Sequence, residues 1–281
     1  MDRPEQELEE RKRKEVEFHN NQRLVTDDIH VADTRWSPEM EETIKTNPLW
    51  ANMKYYSIER KSRNFVLGWF DDNCKDKEIL DYCCGNGDDS IYLAELGAKR
   101  VTGIDLSDVS VDNCRALARK KGLSDKISFE VRDAEKTEFE DDSFDVITEY
   151  GCLHHLDLDH AMPELARILR PDGKMICTET LGHNVFIHLY RKMTPHLRTE
   201  WETEHIIKRH HFAKIRRHFG RVELHFYHVF TLFGVPFRLT PVFYPLLSFL
   251  EVLDGVLLAI PFIQWQAWQT VFVLSEPRKA G

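Results

Sequence analysis

Short apolar runs alternate with amphipathic segments through the middle of the chain. The pattern predicts strands at residues 78–82, 100–104, 127–131, 144–148 and 174–179, and helices at 88–96, 108–121 and 157–169. Alternation at this spacing is typical of parallel strands that are connected by helices packed on the sheet. The expected fold class is therefore α/β, with a doubly wound sheet.

Two further strands are predicted at residues 222–228 and 268–274, which brings the sheet to seven strands. Between them lies an apolar insertion, residues 229–266, whose charged residues are Arg238, Glu251 and Asp254. Leucine spacing predicts a helix over residues 245–260 with Glu251 and Asp254 on its polar stripe. A helix lying on a membrane usually carries Lys or Arg there. We therefore expect a lid or pocket wall; a dimer interface fits the same composition, and a membrane contact is less favoured.

The N-terminal segment is rich in Glu, Lys and Arg. Its few apolar residues, such as Val16 and Phe18, fit one side of a helix, and the segment is expected to be a solvated helical arm. A second amphipathic helix is predicted over residues 58–70, just before the first strand. We divide the chain into an N-terminal arm and helical cap, residues 1–54, and a main domain, residues 55–281.

Length and composition narrow the functional classes. A chain of 281 residues can form one sizeable α/β domain with additions. The net charge of −9, with scattered basic residues, argues against nucleic acid as a partner. The six cysteines include no metal-type C-x-x-C pair, and the N-terminal residues lack a signal-peptide pattern. We expect a cytoplasmic protein with reduced thiols.

A turn of small residues follows the first predicted strand. Gly85 and Gly87 allow the backbone to approach a ligand, and the next helix directs its free N–H groups at the same crevice. Asp105, which follows the second strand, can accept hydrogen bonds from both hydroxyls of a ribose. A dinucleotide site would have a third glycine where this chain has Ser90, and the acids at 88 and 89 would repel a pyrophosphate. The pattern predicts a nucleoside site.

This region resembles the first motif of the class I S-adenosylmethionine-dependent methyltransferase family, acidic-x-Gly-x-Gly-x-Gly. The matching residues are Asp81, Cys83, Gly85 and Gly87, with Cys83 replacing the first glycine. The Leu-Arg-Pro-Asp-Gly-Lys sequence at residues 169–174 is a second, more selective similarity. The resemblance covers residues 55–180. It implies a Rossmann-like fold with an antiparallel last hairpin, S-adenosyl-L-methionine as cofactor and S-adenosyl-L-homocysteine as product.

The resemblance also implies roles for the residues at the strand ends. Asp133 corresponds to the acid that accepts a hydrogen bond from the adenine amino group, and Leu106 would contact the adenine ring. Glu149 and Tyr150 lie where the family holds the methionine moiety, and Tyr56 precedes the helix that commonly covers the cofactor. The predicted cofactor-binding residues are Asp81, Cys83, Gly85, Asn86, Gly87, Asp105, Leu106, Asp133, Ala134, Glu149, Tyr150 and Tyr56.

Two adjacent histidines, His154 and His155, follow the fourth predicted strand. A similar pair occurs in sugar and natural-product O-methyltransferases of this family, sometimes with a carboxylate after the fifth strand, here Glu179. Methyl transfer to a hydroxyl needs a base that takes the proton. We predict these three residues as catalytic, with His154 favoured as the base and Glu179 orienting it. The alternative is that the histidines only pack or cap the loop. Histidine spacing elsewhere fits no metal site, so no metal is expected.

Many aromatic residues surround the insertion, which favours a hydrophobic acceptor. The expected function is methyl transfer to an oxygen or nitrogen of a small, largely hydrophobic metabolite, as in natural-product tailoring. One alternative is a lipid or quinone methyltransferase that acts at a membrane surface. Another is a non-catalytic S-adenosylmethionine-binding protein. A homodimer is compatible with each of these functions.

Overall fold

The computed structural model describes residues 3–23 and 38–279. Within these residues the strands are β1 (Glu78–Tyr82), β2 (Arg100–Asp105), β3 (Ile127–Val131), β4 (Phe144–Tyr150), β5 (Leu169–Thr180), β6 (Phe219–Tyr227) and β7 (Gln269–Pro277). They form one sheet in the order β3-β2-β1-β4-β5-β7-β6. Strands β1 to β5 are parallel, and β7 runs antiparallel to both β5 and β6. The predicted Rossmann-like sheet and its antiparallel end are confirmed.

The helices in the described residues cover both faces of this sheet. They are α1 (Arg3–Arg23), α2 (Pro38–Thr46), α3 (Arg60–Asn73), α4 (Asp88–Leu96), α5 (Asp108–Lys120), α6 (Leu158–Ile168), α7 (Val185–Met193), α8 (Glu200–His205), α9 (His211–His218) and α10 (Phe243–Leu257). Short 3-10 helices lie at Pro48–Ile58, Leu153–His155, Pro195–Leu197, Phe230–Phe237 and Gln264–Gln266. No helix in this part of the chain is long and apolar enough to cross a membrane.

Alternation along each strand divides the core between the two faces. Ile79 and Leu80, neighbours in β1, lie in two different buried clusters. Leu80 belongs to the cluster that contains Phe212 of α9, and Ile79 to the cluster that contains Phe70 of α3. Since successive side chains of a strand point to opposite faces, one strand contributes to both layers of the core.

The start of β5 differs from the prediction. Leu169 already pairs with Phe144, and the next recorded pair joins Lys174 to Val146, so residues 170–173 interrupt the ladder without ending the strand. The strand predicted at 174–179 was therefore too short. The prolyl-aspartyl-glycyl sequence produces an irregularity within β5, where a separate turn was expected.

Helix α1 lies against the main domain and does not extend into solvent. Arg11 and Glu15 are buried, and Arg11 Nη2 lies 2.5 Å from Glu135 Oε1. Lys12 Nζ lies 2.5 Å from Asp133 Oδ2 at the end of β3. The expectation of a solvated arm is therefore wrong for the described part of this segment; residues 24–37 of the predicted arm and cap lie outside the described residues. Charged residues can be buried here because each has an ionic or hydrogen-bonding partner.

The insertion also differs from its predicted orientation. The Glu251 side chain is 5% exposed and pairs with Arg60 at 2.6 Å. Asp254 is buried and accepts hydrogen bonds from the backbone N–H groups of residues 229–231. Both acids of the predicted polar stripe therefore face inward, on the side where Leu247 and Leu250 are buried, and Phe249 and Val252 are on the exposed face. Glu251 and Asp254 can lie on the inward side because Arg60 and backbone N–H groups provide hydrogen-bond donors there.

Candidate active site

Three adjoining cavities open at the carboxyl ends of the parallel strands, where the strand order reverses between β1 and β4. We name them after a lining residue: the Asp105 cavity of about 120 Å³, the Asp81 cavity of about 140 Å³ and the His154 cavity of about 240 Å³. Arg23 and Tyr150 line all three. The cavities are therefore parts of one crevice, at the place where α/β sheets usually bind ligands.

The turn after β1 has a left-handed backbone at Cys83, Gly85 and Gly87, with φ of 57°, 55° and 78°. Cys83 stands where the family has a glycine, and its positive φ explains why glycine is preferred there. A Cβ atom on Gly87 would lie 2.9 Å from Cys114 Sγ, so Gly87 is required for packing against α5. Cys83, Gly85 and Asn86 line the Asp81 cavity.

Asp105 closes the turn from the opposite side. Its Oδ2 accepts a hydrogen bond from the Gly85 N–H at 3.0 Å, and its Oδ1 accepts one from the Ser107 N–H at 2.9 Å. Each oxygen retains a further lone pair, and the carboxylate lines the Asp105 cavity together with Leu106. This geometry suits a pair of ribose hydroxyls.

Asp81 joins β1 to the first turn of α4. Its Oδ2 accepts hydrogen bonds from the N–H of Ser90 at 3.1 Å and from the Ser90 hydroxyl at 2.6 Å. Burial and the nearby charge of Asp89 raise the pKa of Asp81 to about 7. Because it also lines the Asp81 cavity, this carboxyl can both position α4 and face a ligand.

Asp133 lies at the far end of the Asp105 cavity, beside Ala134. It accepts a hydrogen bond from the Glu135 N–H at 2.9 Å and one from Lys12 Nζ at 2.5 Å. Burial alone would lower the pKa of Lys12, but the bonds and charges of Asp133 and Glu135 raise it. A cationic donor from α1 thus lies at the position predicted for the adenine amino group.

Glu149 is not among the described residues that line the three cavities, and its predicted role as a cofactor contact stays a prediction. Its Oε2 accepts a hydrogen bond from the Cys152 N–H at 3.0 Å. Burial and the charge of Glu179 raise the pKa of Glu149 well above its ordinary value. Adjacent strand residues point in opposite directions, so Tyr150 lines the crevice while Glu149 supports the following loop from below.

His154 and Glu179 form a buried dyad. His154 Nδ1 lies 2.6 Å from Glu179 Oε2, and Glu179 Oε1 accepts a hydrogen bond from the Leu153 N–H at 2.6 Å. His154 Nε2 lies 4.0 Å from Glu202 Oε1, and His154 lines the His154 cavity. A carboxylate on Nδ1 fixes the ring and leaves Nε2 to act as a base toward this cavity.

His155 occupies a different environment. Its Nδ1 lies 3.0 Å from Glu15 Oε2, and its carbonyl accepts a hydrogen bond from Arg11 at 2.5 Å. Burial would lower the pKa of His155, but the hydrogen bond and charge of Glu15 raise it. Burial would in turn raise the pKa of Glu15, yet hydrogen bonds from His155 and His19 hold it well below its usual range. These contacts make His155 an anchor for α1.

In the described residues, side chains of the types that can bind a metal lie close together in two groups. Ligand atoms of Glu15, His19 and His155 lie within 4.8 Å of one another, as do those of His154, His155 and Glu202. Both groups contain His155, whose Nδ1 is already bonded to Glu15. Glu15 accounts for the first arrangement without an ion, because His155 and His19 both lie beside its carboxylate, at 3.0 and 3.5 Å. The expectation of no metal stays a prediction.

The His154 cavity combines aromatic and cationic walls. Arg191 lines it, and its Nη2 lies 3.1 Å from Thr180 Oγ1, while its Nη1 is buried without a hydrogen-bond partner. Burial lowers the pKa of Arg191 to about 10. Arg198 and Glu202 lie beside it, with Arg198 Nε 3.5 Å from Glu202 Oε1. The aromatic lining includes Phe18, Trp50, Tyr55, Tyr56, Tyr190 and Trp268.

Several residues of this crevice were not identified from the sequence. Glu15, His19 and Arg23 come from α1, and Glu59 and Gln269 come from segments far apart in the chain. Glu59 accepts hydrogen bonds from the Tyr150 hydroxyl and from Gln269 Nε2. No local motif marks such residues, because only the fold brings them together.

Comparisons with known proteins agree with this geometry. Residues 79–173 match the family model described as a methyltransferase domain. A 27-O-demethylrifamycin SV methyltransferase from Amycolatopsis mediterranei is 38% identical over 98 residues, which covers 34% of this chain and 36% of that relative. A probable tocopherol O-methyltransferase from Oryza sativa is 38% identical over 112 residues, covering 40% of this chain and 31% of the relative. The chain thus matches about a third of the length of these relatives.

Solved structures show the same architecture. Geranyl diphosphate C-methyltransferase from Streptomyces coelicolor superposes with a TM-score of 0.57 over 95% of this chain and 98% of that one, at 14% identity. Phosphoethanolamine N-methyltransferase 2 from Haemonchus contortus superposes with a TM-score of 0.55 over 76% of this chain and 51% of that one, at 19% identity. Residues 79–173 therefore match a methyltransferase domain, and the chain has the fold of the class I S-adenosylmethionine-dependent methyltransferases, as the sequence motifs predicted.

Proposed function

We propose that this protein transfers a methyl group from S-adenosylmethionine to an oxygen or nitrogen of a small, largely hydrophobic molecule. One observation carries the proposal: a crevice lined by ten of the twelve predicted cofactor residues continues into a cavity lined by His154, which is bonded to Glu179. The Asp105 cavity suits the adenosine moiety, the Asp81 cavity suits the methionine moiety, and the His154 cavity is left for the acceptor.

The residues present fit the cofactor. The left-handed turn at Cys83 and Gly85 brings backbone atoms to the crevice, and Asp105 has lone pairs free for hydroxyl donors. When bound, S-adenosylmethionine supplies an electrophilic methyl group on a sulfonium. The cofactor's hydroxyls and amines are donors, which matches the carboxylates Asp81 and Asp105.

In the proposed mechanism the protein chiefly positions the acceptor, since an in-line displacement requires reacting atoms at about 3–3.5 Å. His154 Nε2 takes the proton from an acceptor hydroxyl as the new bond forms. Glu179, bonded to Nδ1, stabilises the imidazolium that results. An amine acceptor with a free lone pair would need no such base, and it would use the same cavity.

The lining of the His154 cavity supports an aromatic or apolar acceptor that bears at least one hydrogen-bond acceptor. Tyr55, Tyr190 and Trp268 offer flat apolar contacts, while the unpartnered Nη1 of Arg191 can donate to an oxygen. Natural products and quinols have both features. We propose a cytoplasmic enzyme of natural-product tailoring, which agrees with six free cysteines.

Calorimetric titration and a turnover assay test this proposal. Purified protein should bind S-adenosylmethionine and S-adenosylhomocysteine but not NAD. With a panel of phenols, amines and quinols, formation of S-adenosylhomocysteine should depend on the acceptor and fall in His154→Gln. Binding without turnover of any acceptor would favour a non-catalytic S-adenosylmethionine-binding protein, and no binding at all would refute the proposal.

A second candidate is methylation of a lipid or quinone at a membrane surface. It is favoured by the apolar residues exposed on α7 and α10. Among the relatives, the tocopherol and demethylmenaquinone methyltransferases are named for lipophilic acceptors. The acceptor panel can be extended to a short-chain quinol and a tocopherol precursor. Methylation of these two compounds in preference to water-soluble acceptors would support this second candidate.

A further inference from the structure

Exposed large apolar side chains are concentrated in one segment of the chain. With the exception of Val131, all such residues in the described part of the chain lie between positions 185 and 262. Phe249, Val252 and Val256 on α10 are 60%, 66% and 70% exposed. On α7, Phe186 and Leu189 are 59% and 57% exposed. Single exposed apolar residues are ordinary, but a concentration of this kind marks an interaction surface.

The segments that carry these exposed residues are connected through one aromatic contact. The Phe186 ring of α7 contacts the Phe233 ring with 5.3 Å between centroids, and Phe233 belongs to the 3-10 helix that packs against α10. We call this surface the apolar face; it is represented by Phe186, Leu189, Met193, Phe249, Val252 and Val256.

The charges around the apolar face differ from those of the rest of the molecule. Residues 185–199 contain no Asp or Glu, and Lys192 of α7 is exposed beside the face. In residues 229–266 the acids are Glu251 and Asp254, and both point inward to Arg60 and to backbone N–H groups. Within these two described segments the exposed charged residue is Lys192, and neither segment has an exposed carboxylate, although the whole chain has a net charge of −9.

We propose that the apolar face docks on a phospholipid bilayer that contains anionic lipids. Apolar side chains enter the interfacial region while Lys192 contacts lipid phosphates. The sequence argument against a membrane placed Glu251 and Asp254 on the outer side of α10, whereas their contacts place them on the inner side. Helix α10 itself has no Lys or Arg, so the cation at this face is Lys192 of α7. A second copy of the chain is less suited, because a two-fold contact would bring like charges together without acids to pair them.

Docking of this face also places the acceptor cavity at the membrane. Ile187, Tyr190 and Arg191 of α7 line the His154 cavity, while Phe186 and Leu189 of the same helix face outward. One helix thus separates the bilayer from the cavity. This step rests on the proposed function: a lipophilic acceptor would pass from the membrane around α7 to the methyl donor.

Vesicle flotation of the full chain tests the docking. We expect the protein to float with vesicles of phosphatidylcholine and phosphatidylglycerol, and to do so less with phosphatidylcholine alone. Phe249→Glu should lower the partition coefficient about tenfold or more, because it replaces buried apolar surface with a charge. Lys192→Gln should weaken binding and reduce its dependence on salt. Val131→Glu is the matched control, since Val131 is equally an exposed apolar residue but lies far along the chain in β3.

The outcomes are distinguishable. Failure of the wild-type protein to float, or equal flotation of Phe249→Glu, would overturn the proposal. Light scattering without lipid adds a second test: a dimer that Phe249→Glu converts to a monomer would identify the face as a subunit interface instead. Calorimetry with S-adenosylhomocysteine on each variant checks folding, and loss of that binding in the wild type would refute the proposed function while leaving the docking result intact.

Discussion

Among single residues, Asp105 offers the sharpest test of the cofactor site. Asp105→Asn keeps one acceptor oxygen but puts an amide N–H₂ opposite the N–H of Gly85 or Ser107. We expect S-adenosylhomocysteine binding to weaken by about 1–3 kcal/mol, since a charged acceptor is lost. Calorimetric titration measures this loss of binding free energy. Asp108→Asn, in the exposed first turn of α5, is the control, and equal affinities for the two variants would contradict the assignment.

His154 can be tested as a base without disturbing the cofactor. His154→Gln retains a polar side chain next to Glu179 but cannot take up a proton. The turnover number for a hydroxyl acceptor should fall by about 10²–10⁴, with unchanged S-adenosylhomocysteine affinity. His160→Gln, a change at an exposed histidine of α6, should leave turnover unaltered. Full activity of His154→Gln would assign the histidine to loop packing.

The buried position of Glu59 leads us to expect that the stability of the folded protein depends on pH. Burial raises the pKa of this carboxyl from 4.5 to about 7, although hydrogen bonds from Tyr150 and Gln269 oppose the rise. The folded protein therefore binds the proton more tightly than the unfolded chain. The stability that Glu59 contributes is complete below pH 4.5 and is lost as the pH rises through about 7.

Glu59→Gln removes this titration. Above about pH 8 the variant should be more stable than the wild type, by up to about 3 kcal/mol, and the gain should vanish below about pH 4.5. Gln269 can accommodate the new amide, because its Oε1 is buried without a partner. Denaturant unfolding across this pH range measures the difference. Glu42→Gln, at an exposed position, should show no such trend, and a pH-independent difference for Glu59→Gln would exclude the mechanism.

At the level of helices and strands, the sequence was informative where burial alone decides the structure. β1, α4 and β3 have the predicted bounds, because their apolar periodicity reflects a sheet covered on both faces. The orientation of α10 could not be obtained in this way. Its leucine spacing marks a helix, but the partners of Glu251 and Asp254 lie at residues 60 and 229–231. Periodicity cannot reveal contacts between distant segments.

Helix α1 illustrates the same limit. Its buried residues, Arg11 and Glu15, are charged, so its sequence resembles that of a solvated helix. Arg11 and Lys12 are held by Glu135 and Asp133, which belong to the segment after β3. The residues predicted for the crevice from the motifs, such as Asp105 and Leu106, do line it. What the sequence could not supply is the helix that covers them.

A helix closed over the crevice must open to admit a ligand, so its anchors should control binding rates. Arg11→Ala removes the ion pair with Glu135 and the bond to the His155 carbonyl. We expect association and dissociation of S-adenosylhomocysteine both to accelerate several-fold, because opening becomes easier. Stopped-flow tryptophan fluorescence measures both rates. Arg13→Ala is the control on the same helix, at an exposed position, and equal rates for both variants would argue against gating.

Across the whole molecule, the three cavities are coupled because the same segments line them. Helix α1 contributes Arg23 to all three cavities, and the 3-10 helix Pro48–Ile58 contributes Tyr56 to two. A ligand in the Asp105 and Asp81 cavities therefore stabilises segments that also form the acceptor cavity. Binding free energy gained at one site lowers the cost of ordering these segments for the other.

Hydrogen exchange should detect this coupling. S-adenosylhomocysteine should slow amide exchange at the turn of residues 83–87 and also in α1 and Pro48–Ile58, which line the acceptor cavity. The insertion, residues 229–266, contributes nothing to the three cavities within the described residues and should exchange at its original rate, which makes it an internal control. Protection confined to residues 83–87 would show that cofactor and acceptor sites are independent. Protection that spreads to α1 but disappears in Arg11→Ala would identify the helix as the element that links them.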